Sequence, residues 1–260
     1  MRLANPLSQD HALIRPSLLM GLLQAIRRNV SRGRFDLRCF EVGGVVRDGN
    51  PPTEETSLGI ALSGRWTTDW RGGCLCDFWV LKGVVEALAE KLNAQDQRWA
   101  DSELSWADPS QAATIIASDQ TRLGAAGKVA DHVLRAFGVE TEVWYAELSL
   151  SPLARRRGIS TNVRPSPLFP PVKRDLSFIV SEAVSFEAVA SAIRSTAGAQ
   201  ADLVELIDRF VGGQLPPGTY SLTFSLEYRH GTRTLTAGEA DALHERVRHM
   251  LQERFSAQLR

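Results

Sequence analysis

Tyr220–Arg229 is the stretch that leaves this chain least freedom. Tyr220, Leu222, Phe224, Leu226 and Tyr228 alternate without a break with Ser221, Thr223, Ser225, Glu227 and Arg229. Successive side chains of a strand point to opposite faces, so this period demands a sheet with one covered apolar face and one polar face. Such a sheet is antiparallel, because parallel sheets are covered on both sides. The neighbouring segments fit the same plan. Leu176, Phe178 and Val180 alternate with polar or smaller residues, and Ser185 opens a helix with Val189, Ala190, Ile193 and Ala197 inward. A strand over about 201–211 runs into a turn built from Gly212, Gly213, Pro216, Pro217 and Gly218. Thr236 and Glu239 form a capping box ahead of a helix whose inward residues are Ala240, Leu243, Val247, Met250 and Leu251. The order is β-α-β-β-α, and Ala257–Arg260 can add a last short strand. This is the ferredoxin-like split βαβ arrangement, with both helices on one sheet face and the other face free. A free face of polar and aromatic groups is a usual receiver of single-stranded RNA.

Upstream, the pattern breaks at Ser151–Arg174. That segment holds six basic residues, five prolines and no acid. Proline removes backbone donors and pushes the preceding residue out of the helical region, so the segment reads as an extended linker. It sets a domain boundary near residue 160, giving domains 1–160 and 161–260. The first domain is mixed α and β. Ser17 is placed to cap a helix with Leu18, Leu19, Leu22, Leu23 and Ile26 on one stripe, ending near Arg32–Gly33. Strands are expected over 37–46, 58–62, 114–117 and 143–150, with a helix after Asp77 and a surface loop over Gly64–Gly73.

The composition closes off several classes of function. Thirty basic residues cancel thirty acidic ones, which excludes a polybasic RNA-coating protein while leaving local basic patches open. No apolar run reaches the ~18–20 residues of a membrane helix, and the N-terminus lacks the apolar segment of a signal peptide. Cys39, Cys74 and Cys76 are too few and too closely spaced for a disulfide framework and read as reduced cytosolic thiols. His244, Glu245 and His249 give H-E-x-x-x-H, one residue longer than the zinc-helix motif, which turns the two imidazoles about 140° apart. G-x-S-x-G, Walker and G-x-G-x-x-G sequences are absent.

Several spaced motifs carry a resemblance. Asn5-Pro6-Leu7-Ser8, Arg15-x-Ser17-Leu18-Leu19, Asn29-x-x-Arg32-Gly33 and Arg38-x-Phe40-Glu41-Val42-Gly43 resemble the non-catalytic synthetase-like module of the bacterial phenylalanine–tRNA ligase β subunit, as does Asp77-Phe78-Trp79-x-Leu81-Lys82-Gly83. Phe169-Pro170-Pro171-Val172-Lys173-Arg174-Asp175-Leu176-Ser177 is similar to the start of that subunit's anticodon-binding domain. The resemblance keeps its order over nearly the whole chain and corresponds to the C-terminal part of such a subunit. It departs at two places. Ala107-Asp108-Pro109-Ser110 and Gly127-Lys128-Val129-Ala130-Asp131 stand where the family shows His-Pro-Gly-Arg-type and Gly-Glu-Leu-His-Pro-type segments.

The resemblance implies an α+β chain: a class II synthetase-like antiparallel sheet module followed by a ferredoxin-like split βαβ domain. It implies a subunit of an ATP-dependent ligase in which this chain is non-catalytic, with no cofactor of its own. ATP and magnesium are then expected with the catalytic α subunit, in a cytoplasmic heterotetramer of two α and two β chains. Arg38 superficially resembles the first of two ATP-holding arginines, and no Gly-rich segment ending in a second one follows at the expected place. For the tRNA for phenylalanine, the family's reading positions fall on Asp208-x-Phe210-x-Gly212 and Gly218-x-x-Ser221. Phe210 would stack on the first anticodon base while Asp208 and Ser221 read its edge. The family more often has tyrosine there; phenylalanine keeps the ring and lacks the hydroxyl. Asp208 and Phe210 share strand parity with Val204 and Leu206, so which way they face turns on a bulge. Lys173, Arg174, Arg229 and Arg233 are candidate phosphate contacts, and Arg155–Arg157 is a further basic run. A different reading is a free-standing synthetase-like paralogue that binds RNA or regulates another enzyme. The β-subunit reading calls for an uncovered apolar surface on residues 1–150; the paralogue calls for a well-covered monomer.

Overall fold

The computed structural model of the chain describes residues 14–47, 49, 51–70, 72–92, 94, 97–155 and 167–260. The Asn5-Pro6-Leu7-Ser8 motif, Arg156, Arg157, Arg164 and the centre of the proline-rich segment lie outside these. The chain forms two compact units, Met1–Thr161 and Asn162–Arg260.

The first unit is built on a six-stranded antiparallel sheet in the order β1-β2-β6-β5-β4-β3, from β1 (Leu37–Arg47), β2 (Thr53–Ser63), β3 (Gln97–Asp101), β4 (Ala107–Ala117), β5 (Arg122–Val129) and β6 (Trp144–Ser149). Both faces are covered, so its central strands read as nearly continuous apolar runs. On one face, α1 (Leu19–Val30) and α3 (Asp131–Phe137) enclose Leu22, Leu23, Ile26, Ala61, Leu134 and Tyr145. On the other, α2 (Phe78–Lys91) and α4 (Leu150–Arg155) cover Leu58, Ile60 and Leu62 of β2, together with Leu81, Val85, Trp144 and Leu148. Asp77 caps α2 as expected, accepting the Val80 N–H at 2.7 Å. Ser17 does not occupy the cap of α1. Leu18 does, because the Ser17 hydroxyl is directed at the Glu147 carboxylate, 2.6 Å away, while accepting the Leu19 N–H at 3.1 Å. At the first departure from the family's turns, the Asp108 carboxylate accepts both the N–H and the hydroxyl of Ser110.

The second unit is a four-stranded antiparallel sheet in the order β10-β7-β9-β8, from β7 (Val172–Ser181), β8 (Ala201–Val211), β9 (Thr219–Tyr228) and β10 (Gln258–Leu259). The helices α5 (Phe186–Ala197) and α6 (Ala237–Phe255) pack on one face. Ser185 caps α5, and Thr236 and Glu239 make the reciprocal capping box of α6. Leu176, Phe178, Val180, Leu222, Phe224, Leu226 and Tyr228 form the core with Val189, Ile193, Leu243, Val247 and Leu251. Phe224 stacks with Phe178 and Phe186 at centroid distances of 6.0 and 5.9 Å.

Candidate nucleic-acid interface

The helix-free face of the second sheet is set by the alternation of β9. Opposite residues on neighbouring strands share a face, so Ser221, Thr223 and Ser225 define that side together with Ile179, Ser177 and Asp175 of β7. The polar groups there are tied into cross-strand pairs: Ser225 donates to Asp175 at 2.8 Å, and Thr223 donates to Ser177 at 3.1 Å. Small hydroxyl residues stand at its centre.

On β8 the ladder slips between Leu206 and Asp208. Leu206 pairs with Phe224 on the helix side, Ile207 is the extra residue, and Asp208 pairs with Thr223 on the free side. This is a β-bulge, and it reverses the parity of everything after it. Arg209 is thereby paired with Leu222 and sits with its guanidinium 5.0 Å from the Tyr220 ring centroid. Phe210 is paired with Ser221 and faces away from the helices, 47% exposed. Asp208 is exposed on the same side. Ser221 shares the face but is only 5% exposed, since its strand neighbours are Phe210 and Ile179. The three residues therefore come together, with Ser221 as the floor rather than the surface. Gly213, at φ +65°, closes the following turn beneath the ring; a Cβ there would stand 3.1 Å from Phe210 Cζ. Both the left-handed backbone and the ring's position require glycine.

The four candidate phosphate contacts divide. Lys173 is exposed and, through its pairing with Glu227, lies on the free face. Arg174 pairs with Leu226 on the helix side and donates to Asp241 of α6 at 2.8 Å. Arg229 holds Asp202 at 2.9 Å and the Phe169 carbonyl. Arg233 forks onto the Glu239 carboxylate of the α6 capping box, and that carboxyl is held well below its usual range, chiefly by the Arg233 hydrogen bonds. Arg174, Arg229 and Arg233 thus serve the unit's own structure. His244 meets the Tyr228 hydroxyl and His249 meets Glu253, so the two imidazoles have different partners. Among the described residues, no His, Cys, Asp and Glu group gathers as metal ligands.

In the first unit, Arg38 does not meet a second arginine in a triphosphate-binding arrangement among the described residues. Arg38 and Arg47 both lie on β1, but their parity sends them to opposite faces of the sheet. Arg38 donates to the carbonyls of Arg65 and Trp66 and stands over the Trp66 ring. Arg47 reaches the other face, bridging Glu55 at 2.6 Å and Glu147 at 2.7 Å. Two guanidiniums so placed cannot clasp one triphosphate. The polar hollow around Arg47, about 430 Å³, is crossed by its own hydrogen bonds. Glu147 accepts from Ser17, the Leu18 N–H and Tyr145 as well as Arg47. Burial alone would raise the Glu147 pKa, yet these hydrogen bonds and the Arg47 charge hold it below the usual carboxylate range.

An apolar groove of about 500 Å³ opens on the same unit, along the α2 side of the edge strand β1. Its floor is Leu58 and Ile60, and its walls include Trp66 and Leu88. Phe40 and Val42 on its rim are 75% and 54% exposed. Hydrophobic patterning does not mark these two residues as surface, because Phe40 reads as an ordinary strand residue until β1 is known to be an edge.

The fold and the face define a class: a two-unit α+β protein with a six-stranded antiparallel sheet carrying helices on both faces and a ferredoxin-fold unit whose helices pack on one sheet face, the other carrying an exposed aromatic ring among the described residues. Residues 1–150 match the phenylalanyl-tRNA synthetase β chain CLM domain, and residues 167–260 match the ferredoxin-fold anticodon-binding domain. The chain belongs to the phenylalanyl-tRNA synthetase β chain family. It is 33% identical to the phenylalanine–tRNA ligase β subunit of Moorella thermoacetica, over 100% of this chain and 33% of that one. It is 34% identical to that of Xanthomonas axonopodis pv. citri, over 99% of this chain and 33% of the relative. The chain thus spans about a third of the length of the curated relatives it matches. A pyrrolysyl-tRNA synthetase of Desulfitobacterium hafniense aligns over 59% of this chain and 54% of its own, at a TM-score of 0.43 and 15% identity.

Proposed function

We propose that this chain works within a phenylalanine–tRNA ligase as β-subunit material that is itself non-catalytic. Its first unit docks the catalytic α subunit, and its second receives the tRNA anticodon. The observation that carries the reading is the bulge at Ile207, which puts Phe210 and Asp208 on the free face beside Ser221. An exposed ring beside a carboxylate and a hydroxyl is what a splayed base needs: a π-face to stack on and an edge partner. Phe210 supplies the stack, Asp208 the edge contact, and Ser221 a contact from below. Lys173 is the phosphate contact that this geometry favours. The open groove at Phe40 and Val42 is the uncovered apolar surface that a subunit awaiting its partner should carry, and it speaks against a covered, free-standing paralogue. ATP and magnesium then belong to the α subunit, in a cytoplasmic assembly of two α and two β chains, with the two functions divided near residue 160.

The test is co-expression with the cognate α subunit and titration with an anticodon stem-loop of phenylalanine tRNA. Wild-type chain should co-elute with α and discriminate against a stem-loop changed at the first anticodon base. Phe40→Asp should abolish co-elution and leave stem-loop binding intact. Failure of the wild-type chain both to co-elute and to discriminate would overturn the proposal.

A further inference from the structure

We propose that the first unit carries a second RNA-binding surface, a guanidinium cluster at the C-terminal end of α1 that grips the phosphodiester backbone of an RNA helix. This rests on reading the chain as tRNA-binding, and it places a contact on the unit that does not hold the anticodon face. Over residues 27–38 stand Arg27, Arg28, Arg32, Arg34 and Arg38, against the single acid Asp36. Arg65 joins them from the end of β2. Gly64, at φ +74°, makes this possible: a Cβ there would fall 2.5 Å from both Asp36 Oδ1 and the Phe35 carbonyl oxygen, so only glycine lets the two backbones close. Asp36 Oδ1 then accepts the Arg65 N–H at 2.7 Å. Arg34 and Arg65 come to line one open hollow of about 590 Å³ with Asn29, Phe35 and Asp36, whose carboxylate is engaged by the Arg65 N–H.

The charges here are not paired with acids. Arg27, Arg28, Arg32, Arg34 and Arg65 are exposed, and among the described residues none of the five side chains meets a carboxylate. Arg15, Arg47, Arg174, Arg229, Arg233 and Arg248 are each engaged with an acid; other arginines without an acid partner among the described residues, such as Arg98, Arg122 and Arg194, stand apart in the sequence, whereas these five are grouped. Arg27 lies against the α3 C-cap at Gly138 and has a packing role, and Arg28 complements the α1 dipole. Arg32, Arg34 and Arg65 lie beyond the helix, where neither account applies. Phe35, 55% exposed, stands among them. Guanidiniums without acid partners, two of them lining an open hollow and the others close by in sequence, suit a polyphosphate rather than a single small anion.

The probe is a minihelix RNA comprising the acceptor and T arms, with no anticodon loop, titrated by anisotropy across potassium chloride concentrations. Replacing Arg28, Arg32, Arg34 and Arg65 with Gln should weaken binding about tenfold or more at low salt. It should also flatten the plot of log K against log salt by ~0.7–0.9 for each lost contact. The same four positions changed to Lys should keep most of the slope, which a folding defect would not allow. Phe210→Ala should leave minihelix binding unchanged. An unaltered slope in the Gln variant overturns the proposal. So does loss of α-subunit association with the slope intact, which would assign the cluster to an acidic protein partner. Because the minihelix lacks an anticodon, this outcome is separate from discrimination on the stem-loop: either result can fail while the other holds.

Discussion

Replacing Phe210 with alanine separates a binding residue from a core residue by its magnitudes. Phe210 is 47% exposed on the free sheet face. Full burial of such a side chain contributes ~1.5–3 kcal/mol, so about half of that, roughly 1 kcal/mol, is at stake in stability. Phe224 is the contrast on the adjacent strand: it is 1% exposed, with the Phe178 and Phe186 rings stacked against it. Its truncation should cost ~3–5 kcal/mol, the transfer term plus the cavity left behind. For RNA the order inverts. Loss of a stacking ring costs ~1–3 kcal/mol per base, or about 5- to 150-fold in Kd for an anticodon stem-loop. Phe224→Ala should leave affinity near wild type in whatever fraction stays folded. Urea unfolding and fluorescence titration on the same three proteins give both axes. A Phe210→Ala loss above ~3 kcal/mol would refute the argument by assigning the ring to the core, and unchanged stem-loop affinity would refute it by showing that the ring does not stack on RNA.

Deleting Ile207 removes the bulge while leaving Asp208 opposite Thr223 and Phe210 opposite Ser221; stem-loop affinity should therefore fall less than in Phe210→Ala, and a larger fall would show that the bulge's extra twist, not facing alone, aims the ring. Glu147→Gln withdraws the charge that faces Arg47 and disorders four donated hydrogen bonds, so the first unit should lose ~2–3 kcal/mol by urea unfolding, at the low end for a buried pair because Arg47 is partly solvated. As the Glu147 pKa is depressed in the folded state, its contribution is present above the unfolded carboxyl value near ~4.3 and fades as pH falls through the folded one; the acid limb of stability should flatten in Glu147→Gln. All three tyrosines, Tyr145, Tyr220 and Tyr228, have raised pKa values, chiefly through burial, with Tyr228 pushed up to about 12. Stability they confer is full below ~10 and is lost as pH rises through the folded values, so tyrosinate absorbance should be delayed past pH ~10 in the native protein, and a transition at the free value would contradict the burial.

The second unit was the more legible half because its signals are local and mutually consistent. Strict alternation in β9, the Ser185 cap and the Thr236–Glu239 box each act within a few residues, and each forms as the sequence suggests. The facing of Phe210 was not legible, since nothing in Leu206-Ile207-Asp208 declares an extra residue; the bulge emerges only when β8 is laid against a neighbour whose register is already fixed by the core. In the first unit the expected elements leave out β3, β5, α3 and α4, of which β5 shows most plainly why. β5, with Gly124, Ala125, Ala126 and Gly127, has almost no side-chain period to read, because it runs through the centre of the sheet with close neighbours on both sides. Charge was legible as composition but not as use: Arg174, Arg229 and Arg233 look as available in the sequence as Arg32 and Arg34, and only the fold shows which have partners.

That distinction bears on how the first unit satisfies its buried charges. A binding site kept open for ligand leaves charges whose desolvation is offset only when the ligand is present. In this unit the Arg47–Glu147 constellation is satisfied from within, by Ser17 and Leu18 at the start of α1 and by Tyr145 and Glu55 from the sheet. The carboxylate therefore ties α1 to β6 where a ligand-dependent site would leave them linked only through the bound molecule. These charges are thereby satisfied without a bound molecule, while the Phe40 groove and the grouped arginines after α1 remain open to the partner chain and the RNA backbone proposed for them.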